Sequence, residues 1–390
     1  MKRGKKRAIC LILVACTMLT LLSSCLSASE INGLALLMGI GVDSAEDGQY
    51  KIIGQFANAV DFGEENSERS FTNMSQIGDG IQIPLRDLGN MLSRKLYTGH
   101  TQVITIGRKV AENGLNDVLD YFCRSSNARY SIPLFVAEKT ADELFELEPK
   151  VESMPVTVLI NLLSAQKYDT MCGQSTLADF MNETLSPTTA PTLPLVGIDA
   201  ENNHAILRGS AVFKGERMIG TLTPHQSRSR LVIIGAYKGG THEVKTPDGS
   251  TVDLRIILSK TRIIPKYENG EFSIEINAKF RCILSAVSID EKYYKPEKRK
   301  QLEKYADASF ARELQNAIDV SRGLNSDVFG FGEAIYKKYP KESKELLADW
   351  DSVYPNLNII INVETILDSS GAISENISKP AKDIPVEKAE

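Results

Sequence analysis

The sequence predicts a multi-domain protein of mixed α/β and α+β class: an N-terminal α/β layered domain, a small middle unit, and a C-terminal antiparallel sheet with one long helix. Three observations carry this. From Ile31 to about Leu195, strand-length apolar runs alternate with segments of helical period, as a layered α/β domain requires. Between Ser186 and Pro194, three prolines break that rhythm. Further on, Asn269-Gly270 separates two alternating runs and a long amphipathic stretch follows; Asn-Gly in that setting is a strong hairpin signal.

Taken in order, Leu34 to Val42 is almost wholly apolar and reads as a buried strand. Tyr50 to Val60 is its neighbour across a Glu46-Asp47-Gly48 turn. Pro84 to Leu96 is helical, with Leu85, Leu88, Met91, Leu92 and Leu96 at spacings of three and four, and Gly99 is expected to terminate it. Thr101 to Ile106 is a strand, and Asn116 to Cys123 a helix. Tyr130 to Ala137 is a strand, and Thr140 to Leu147, Val156 to Ala165 and Leu177 to Leu185 are helices. Ser186 to Pro194 is an extended connector, because proline suits neither a helix interior nor a central strand.

In the middle unit, Ala205 to Lys214 and Glu216 to Leu222 pair around Gly215, and Thr223 caps a helix with Pro224 at its first position. Gly239-Gly240 closes that unit. Pro247 to Ser250 is a turn, and Arg262 to Tyr267 pairs with Phe272 to Phe280 as a hairpin. Pro296 to about Arg322 is a helix whose apolar stripe is Leu302, Ala306, Phe310, Leu314, Ala317, Ile318 and Ser321. Leu357 to Leu367 is the last strand. The expected division is therefore 31–195, 196–240 and 241–368, with a polar, disordered tail at 369–390.

The first residues form a separate segment. Five basic residues, Lys2 to Arg7, precede the apolar run Ala8 to Leu22. That is an export signal, residues 1–24; a run this short falls below the roughly 20 residues of a spanning helix. It ends in Leu22-Ser23-Ser24-Cys25, which resembles the lipobox of bacterial lipoproteins. Cys25 is the expected lipidation site, and residues 25–30 a short tether. More than one acyl chain would hold the protein stably at a membrane surface.

Composition narrows the function. The chain has 45 Lys+Arg against 50 Asp+Glu, and loss of the signal removes five basic residues and no acidic ones, leaving a mature net charge of −10 before His. Nucleic-acid binding needs basic patches, so that class is excluded. Cys123, Cys172 and Cys282 remain after processing; three thiols allow at most one bridge, and none is the simpler reading.

Chemistry is sparse. His100, His204, His225 and His242 are never three or four residues apart or beside a Cys, so no zinc spacing exists. Gly39-Ile40-Gly41 is followed by Ser44 where a dinucleotide-binding turn needs a third glycine. Gly173-Gln174-Ser175-Thr176-Leu177 fails at the last position of a nucleophile elbow. Asp117 and Asp120 share one helix face and read as solvated. No catalytic residue, cofactor or metal ligand is expected, and the chain reads as a non-enzyme.

Several motifs, in order, resemble one family. They are Leu34 to Asp43, Arg94 to His100, Val103 to Gly107, Leu115 to Phe122, Gly209 to Gly215 with Met218 to Gly220, Lys238 to Gly240, Ser326 to Gly332, and Trp350 with Tyr354-Pro355. Their order and spacing are similar to the spore germination lipoproteins, the C subunits of nutrient germinant receptors (the Ger(x)C family). The neck departs from that pattern: Leu26 to Glu30 stands where the family carries a Trp and an Arg-rich acidic stretch. The resemblance implies a three-domain mixed α/β lipoprotein without enzymatic activity. Its implied partners are an A-type and a B-type membrane subunit, and its implied place is the outer face of the cytoplasmic membrane, in the spore the inner membrane. The alternatives weighed are a solute-binding lipoprotein feeding a transporter and an exported peptidoglycan hydrolase.

Overall fold

The computed structural model describes Gly4 and residues 33–58, 70–125, 129–166, 169–287 and 296–368. Cys25, the tether 25–30, the tail 369–390 and, Gly4 apart, the signal 1–24 lie outside the described residues.

A nine-stranded sheet forms the larger part. Its strands are β1 (Leu34–Ser44), β2 (Tyr50–Ala57), β3 (Phe71–Gly78), β4 (Lys95–Tyr97), β5 (Val103–Ile106), β6 (Leu134–Ala137), β7 (Thr192–Asp199), β8 (His204–Lys214) and β9 (Arg217–Leu222). The order is β3-β2-β1-β5-β6-β7-β8-β9, with β4 also on β1. The centre, β1-β5-β6-β7, is parallel; both flanks are antiparallel.

Helices cover both faces, as a parallel centre demands. On one face lie α1 (Gln82–Met91), α2 (Arg108–Asn113), α3 (Asn116–Arg124) and α6 (Leu177–Thr184). On the other lie α4 (Ala141–Phe145) and α5 (Pro155–Ala165). The Leu34 to Asp43 motif explains itself here. A Cβ on Gly39 would run into Val156 Cγ2, and one on Gly41 would sit 3.0 Å from Ala141 Cβ, so α4 and α5 lie directly on the strand. Asp43 accepts from Ala141 N at 2.8 Å and Asp142 N at 2.9 Å, capping α4 from outside the helix.

Several expectations change. The first helix ends at Met91, not Leu96: Leu92 turns extended (ψ 140°) and Leu96 reaches the core from β4. Gly99 therefore terminates no helix. β3, a polar edge strand, and the short α2 have too little pattern to be read from sequence. Pro194 stands inside a central strand. It is tolerated because the ladder to β6 holds only Val136↔Leu195 and Ala137↔Val196, so Pro194 precedes it and loses no bond there. β8 and β9, read as a separate middle unit, extend the large sheet through β7.

The second sheet has four strands, β10 (Gly240–Lys245), β11 (Thr251–Glu268), β12 (Glu271–Val287) and β13 (Asn358–Leu367), in that order. Asn269 (φ 53°) and Gly270 (φ 86°) turn the β11–β12 hairpin, as a two-residue left-handed turn requires. The expected all-antiparallel pairing fails at β13, which runs parallel to β12. Helix α8 (Pro296–Gly323) is the reason: it carries the chain back along the sheet before β13 begins. All seven residues of its predicted stripe are buried. Three short helices, α9 (Phe331–Lys338), α10 (Lys344–Ala348) and α11 (Trp350–Val353), close the core. Gly330 (φ 73°) starts α9 and sets Phe331 fully inside.

Candidate functional site at the junction of the two sheets

One helix joins the halves. Helix α7 (Pro224–Ile233) follows β9. Thr223 accepts from Gln226 N, and the Gln226 side chain answers to Thr223 N, a full capping box with Pro224 at the first position. Every residue from Ser227 to Ile233 is buried, including Arg228 and Arg230. A helix buried all round yet rich in Ser and Arg is unusual. Leu231, Val232 and Ile233 enter the core of the second sheet, which also takes Ala190, Val212 and Leu222 from the first.

The two arginines serve different sides. Arg228 donates to Thr241 O at 3.0 Å and to Glu313 Oε2 at 2.8 Å, bonding α7 to β10 and α8. It also lies 3.1 Å from His225 Nδ1; a guanidinium can only donate, so that nitrogen accepts. A cleft of 600 Å³ opens there, lined by His225, Arg228, Lys245, Ser309, Arg312 and Glu313 among others. Arg230 instead donates through Nε to Val328 O at 2.8 Å. Its side chain lines a second cavity, of 360 Å³, between α5, α6, the 170–175 loop and α7.

Beside Arg230, the segment 326–332 ties the halves together. Ala190 N donates to Asp327 O at 2.9 Å. The Asp327 carboxylate accepts from Phe329 N at 3.1 Å and Gly332 N at 2.9 Å. Burial nonetheless pushes Asp327 up to about 6, the backbone donors only partly offsetting the desolvation.

His242 resembles the middle of a relay. Its Nε2 lies 3.1 Å from Ser309 Oγ and its Nδ1 3.7 Å from Glu313 Oε1. The second distance exceeds a hydrogen bond, and Glu313 is already engaged by Arg228. Burial pushes His242 down to about 4, too low for an efficient base near neutrality. The ring is stacked on Phe310 at 3.8 Å. This is a core histidine with one hydrogen bond.

The other candidates scatter. His100, His204 and His225 are exposed. Asp117 accepts from Tyr50 OH at 3.0 Å, and Asp120 pairs with Arg124 at 2.7 Å. Cys123, Cys172 and Cys282 are free, and burial pushes the Cys172 and Cys282 thiols up to about 12. Ser175 lies in the Arg230 cavity without a partner for its hydroxyl. Among the described residues no group of three His, Cys, Asp or Glu could hold a metal, and no helix is long and apolar enough to cross a membrane. Sequence reasoning missed Arg228, Arg230 and Glu183. The one signal was two arginines in a capped helix that continues into Leu-Val-Ile-Ile.

Known proteins place this architecture. Residues 27–198 match the profile described as spore germination protein N-terminal domain. Residues 208–371 match that described as spore germination B3/GerAC like, C-terminal. Spore germination protein KC of Bacillus subtilis (strain 168) is 26% identical over 93% of this chain and 96% of its own. Spore germination protein B3 of the same organism is 21% identical over 92% and 97%, and spore germination protein GerQC of Bacillus cereus 21% over 90% and 96%. The crystal structure of the GerBC protein superposes with a TM-score of 0.58 at 18% identity, over 84% of this chain and 96% of that one, and shows the same fold. With both of its halves matched in order, the chain belongs to the Ger(x)C family of spore germination proteins.

Proposed function

We propose that this chain is a non-catalytic lipoprotein subunit of a spore nutrient germinant receptor. It is anchored through lipid on Cys25 at the outer face of the cytoplasmic membrane, the inner membrane of the spore. The match of both halves to spore germination profiles carries the reading. The Leu22-Ser23-Ser24-Cys25 lipobox supports the anchor. The titratable groups support binding over catalysis: buried thiols near 12 and a buried imidazole near 4 are poor nucleophiles and bases at neutral pH. The partners are the A-type and B-type membrane subunits. A tether of six residues reaches roughly 20 Å when extended, so the first sheet stays close to the bilayer. Anchoring raises its effective concentration at the partner surfaces.

The test is nutrient-triggered loss of optical density in spores carrying Cys25→Ala, beside spores lacking the gene, with protein levels checked. Both strains should fail on the cognate nutrient yet respond to a receptor-independent trigger. Full complementation by the unlipidated protein at normal expression would remove the anchoring claim. Normal germination of the deletion strain on every nutrient would favour the solute-binding lipoprotein instead.

A further inference from the structure

The 360 Å³ cavity beside Arg230 has walls from both halves of the chain. Leu163, the 172–175 turn, Asp179 and Glu183 come from the first; Arg230, Leu231, Ile234 and Lys238 come from the second. The wall is hydrogen-bonded together: Gln166 Oε1 accepts from Met171 N and Cys172 N, and Thr170 N donates to Gly239 O at 2.9 Å.

Its polar groups are incompletely satisfied. Arg230 is 8% exposed, and only its Nε is bonded, to Val328 O. Its terminal nitrogens reach no acceptor within hydrogen-bond distance among the described residues; Glu183 Oε1 stands 3.9 Å from one of them. Glu183 Oε2 and Ser175 Oγ are buried without partners. Burial raises the Glu183 carboxyl, with the Arg230 charge and a backbone bond from Thr192 opposing. A buried polar group left without a partner keeps its desolvation penalty unrelieved, so a molecule supplying the missing partners is favoured.

The chemistry of that molecule follows from the charges. The Arg230 guanidinium feels the charges of Glu183 and Asp327, yet its terminal nitrogens are hydrogen-bonded to neither and take a carboxylate in the fork geometry. Glu183 repels a lone carboxylate and attracts an ammonium group. A lone amine meets the reverse problem at Arg230. Leu163, Leu231 and Ile234 offer an apolar wall for a short aliphatic group. We propose that this cavity binds a small zwitterion of the α-amino acid class, its carboxylate on Arg230 and its ammonium on Glu183, bridging the two halves of the chain. This goes beyond the receptor-subunit reading and does not rest on it.

Calorimetric titration of the purified full chain in detergent tests it. The probes are L-leucine, glycine, 4-methylpentanoate (L-leucine without its amine) and 3-methylbutylamine (L-leucine without its carboxylate). Saturable binding of an amino acid is expected, with both single-charge analogues at least about tenfold weaker, a difference of about 1.4 kcal/mol. Glu183→Gln should remove the preference for L-leucine over 4-methylpentanoate, and Leu163→Trp should fill the cavity and abolish binding. Arg230→Lys loses the Val328 bond and can fail to fold, so the first two variants, checked by circular dichroism, carry the test. No saturable heat from either amino acid up to about 10 mM, far above a micromolar site, would overturn the proposal. So would 4-methylpentanoate or 3-methylbutylamine binding as well as L-leucine, or Leu163→Trp binding unchanged. A silent cavity leaves the receptor-subunit reading intact, because that reading is decided by germination.

Discussion

The large sheet is covered on both faces and the small sheet on one. In the large sheet β5 and β6 are buried at every position, between two separate helix layers. In the small sheet the helices, α8 with α7 and α9, lie on the inner face only. Val252, Leu254, Ile256, Ile274, Ile276, Ala278 and Phe280 point in and are buried. Lys260, Arg262, Lys266, Lys279 and Arg281 belong to the opposite face of the β11–β12 ladder. Three of these cations are paired, Lys266 with Glu275, Lys279 with Glu364 and Arg281 with Asp368. The contrast extends to charge. Residues 31–198 hold 12 Lys+Arg against 21 Asp+Glu, and residues 208–368 hold 25 against 22. The acidic balance of the whole chain therefore belongs to the first half, and the open face of the second sheet carries Lys260 and Arg262 beside its three ion pairs.

If the small sheet is stabilised from one face, inner and outer substitutions must differ sharply. Phe310 lies between Phe280 at 3.9 Å and His242 at 3.8 Å. Phe310→Ala should cost about 3–5 kcal/mol, read as a lower denaturant midpoint. A loss below about 1 kcal/mol would show that the inner face is not the core. Next in size is the pH dependence of the same stack. His242 is pushed from 6.5 to about 4 on folding, so its contribution is full above pH 6.5 and is lost as pH falls through 4. The range is about 3 kcal/mol at most. His242→Phe should flatten that part of the stability profile between pH 6.5 and 4. Asp327, raised to about 6, contributes with the opposite sign, most below pH 3.8 and least above 6, so the comparison is of slopes between variant and parent. Smallest is Lys279→Met on the outer face. Its pair with Glu364 is exposed, and the expected change is within about 0.5 kcal/mol. A much larger loss would mean that the open face carries stability after all.

The same contrast explains what could be read from the sequence. One-sided burial writes an alternating pattern, so the hairpin at Asn269-Gly270 and the buried face of α8 were legible residue by residue. Two-sided burial writes a continuous apolar run, which marks a strand but hides its neighbours. The sheet order β1-β5-β6-β7, with β8 and β9 beyond it, was therefore invisible. β3 failed for another reason: it is an edge strand whose Thr72 to Gln76 stretch is polar apart from Met74. The junction site was the least legible. Ser227-Arg228-Ser229-Arg230 has the composition of a surface turn of helix, and only the meeting of two sheets buries it. The polar groups there are satisfied, or left wanting, by residues about 50 to 100 positions away, such as Glu183 and Val328, and no local pattern encodes such partners.

The parallel placement of β13 bears on the order in which the chain can be completed. β12 is finished at Val287, yet its second neighbour begins only at Asn358. During synthesis or passage through a narrow pore, the hairpin β11–β12 exists first with one long edge bare. A bare edge offers unpaired amide and carbonyl groups to any other strand. The ten residues of β13, Asn358 to Leu367, thus act as a seal, closing the sheet only after β12 and α8 have been delivered. A chain cut short by even that one strand would keep most of its core and still present a sticky margin to its neighbours.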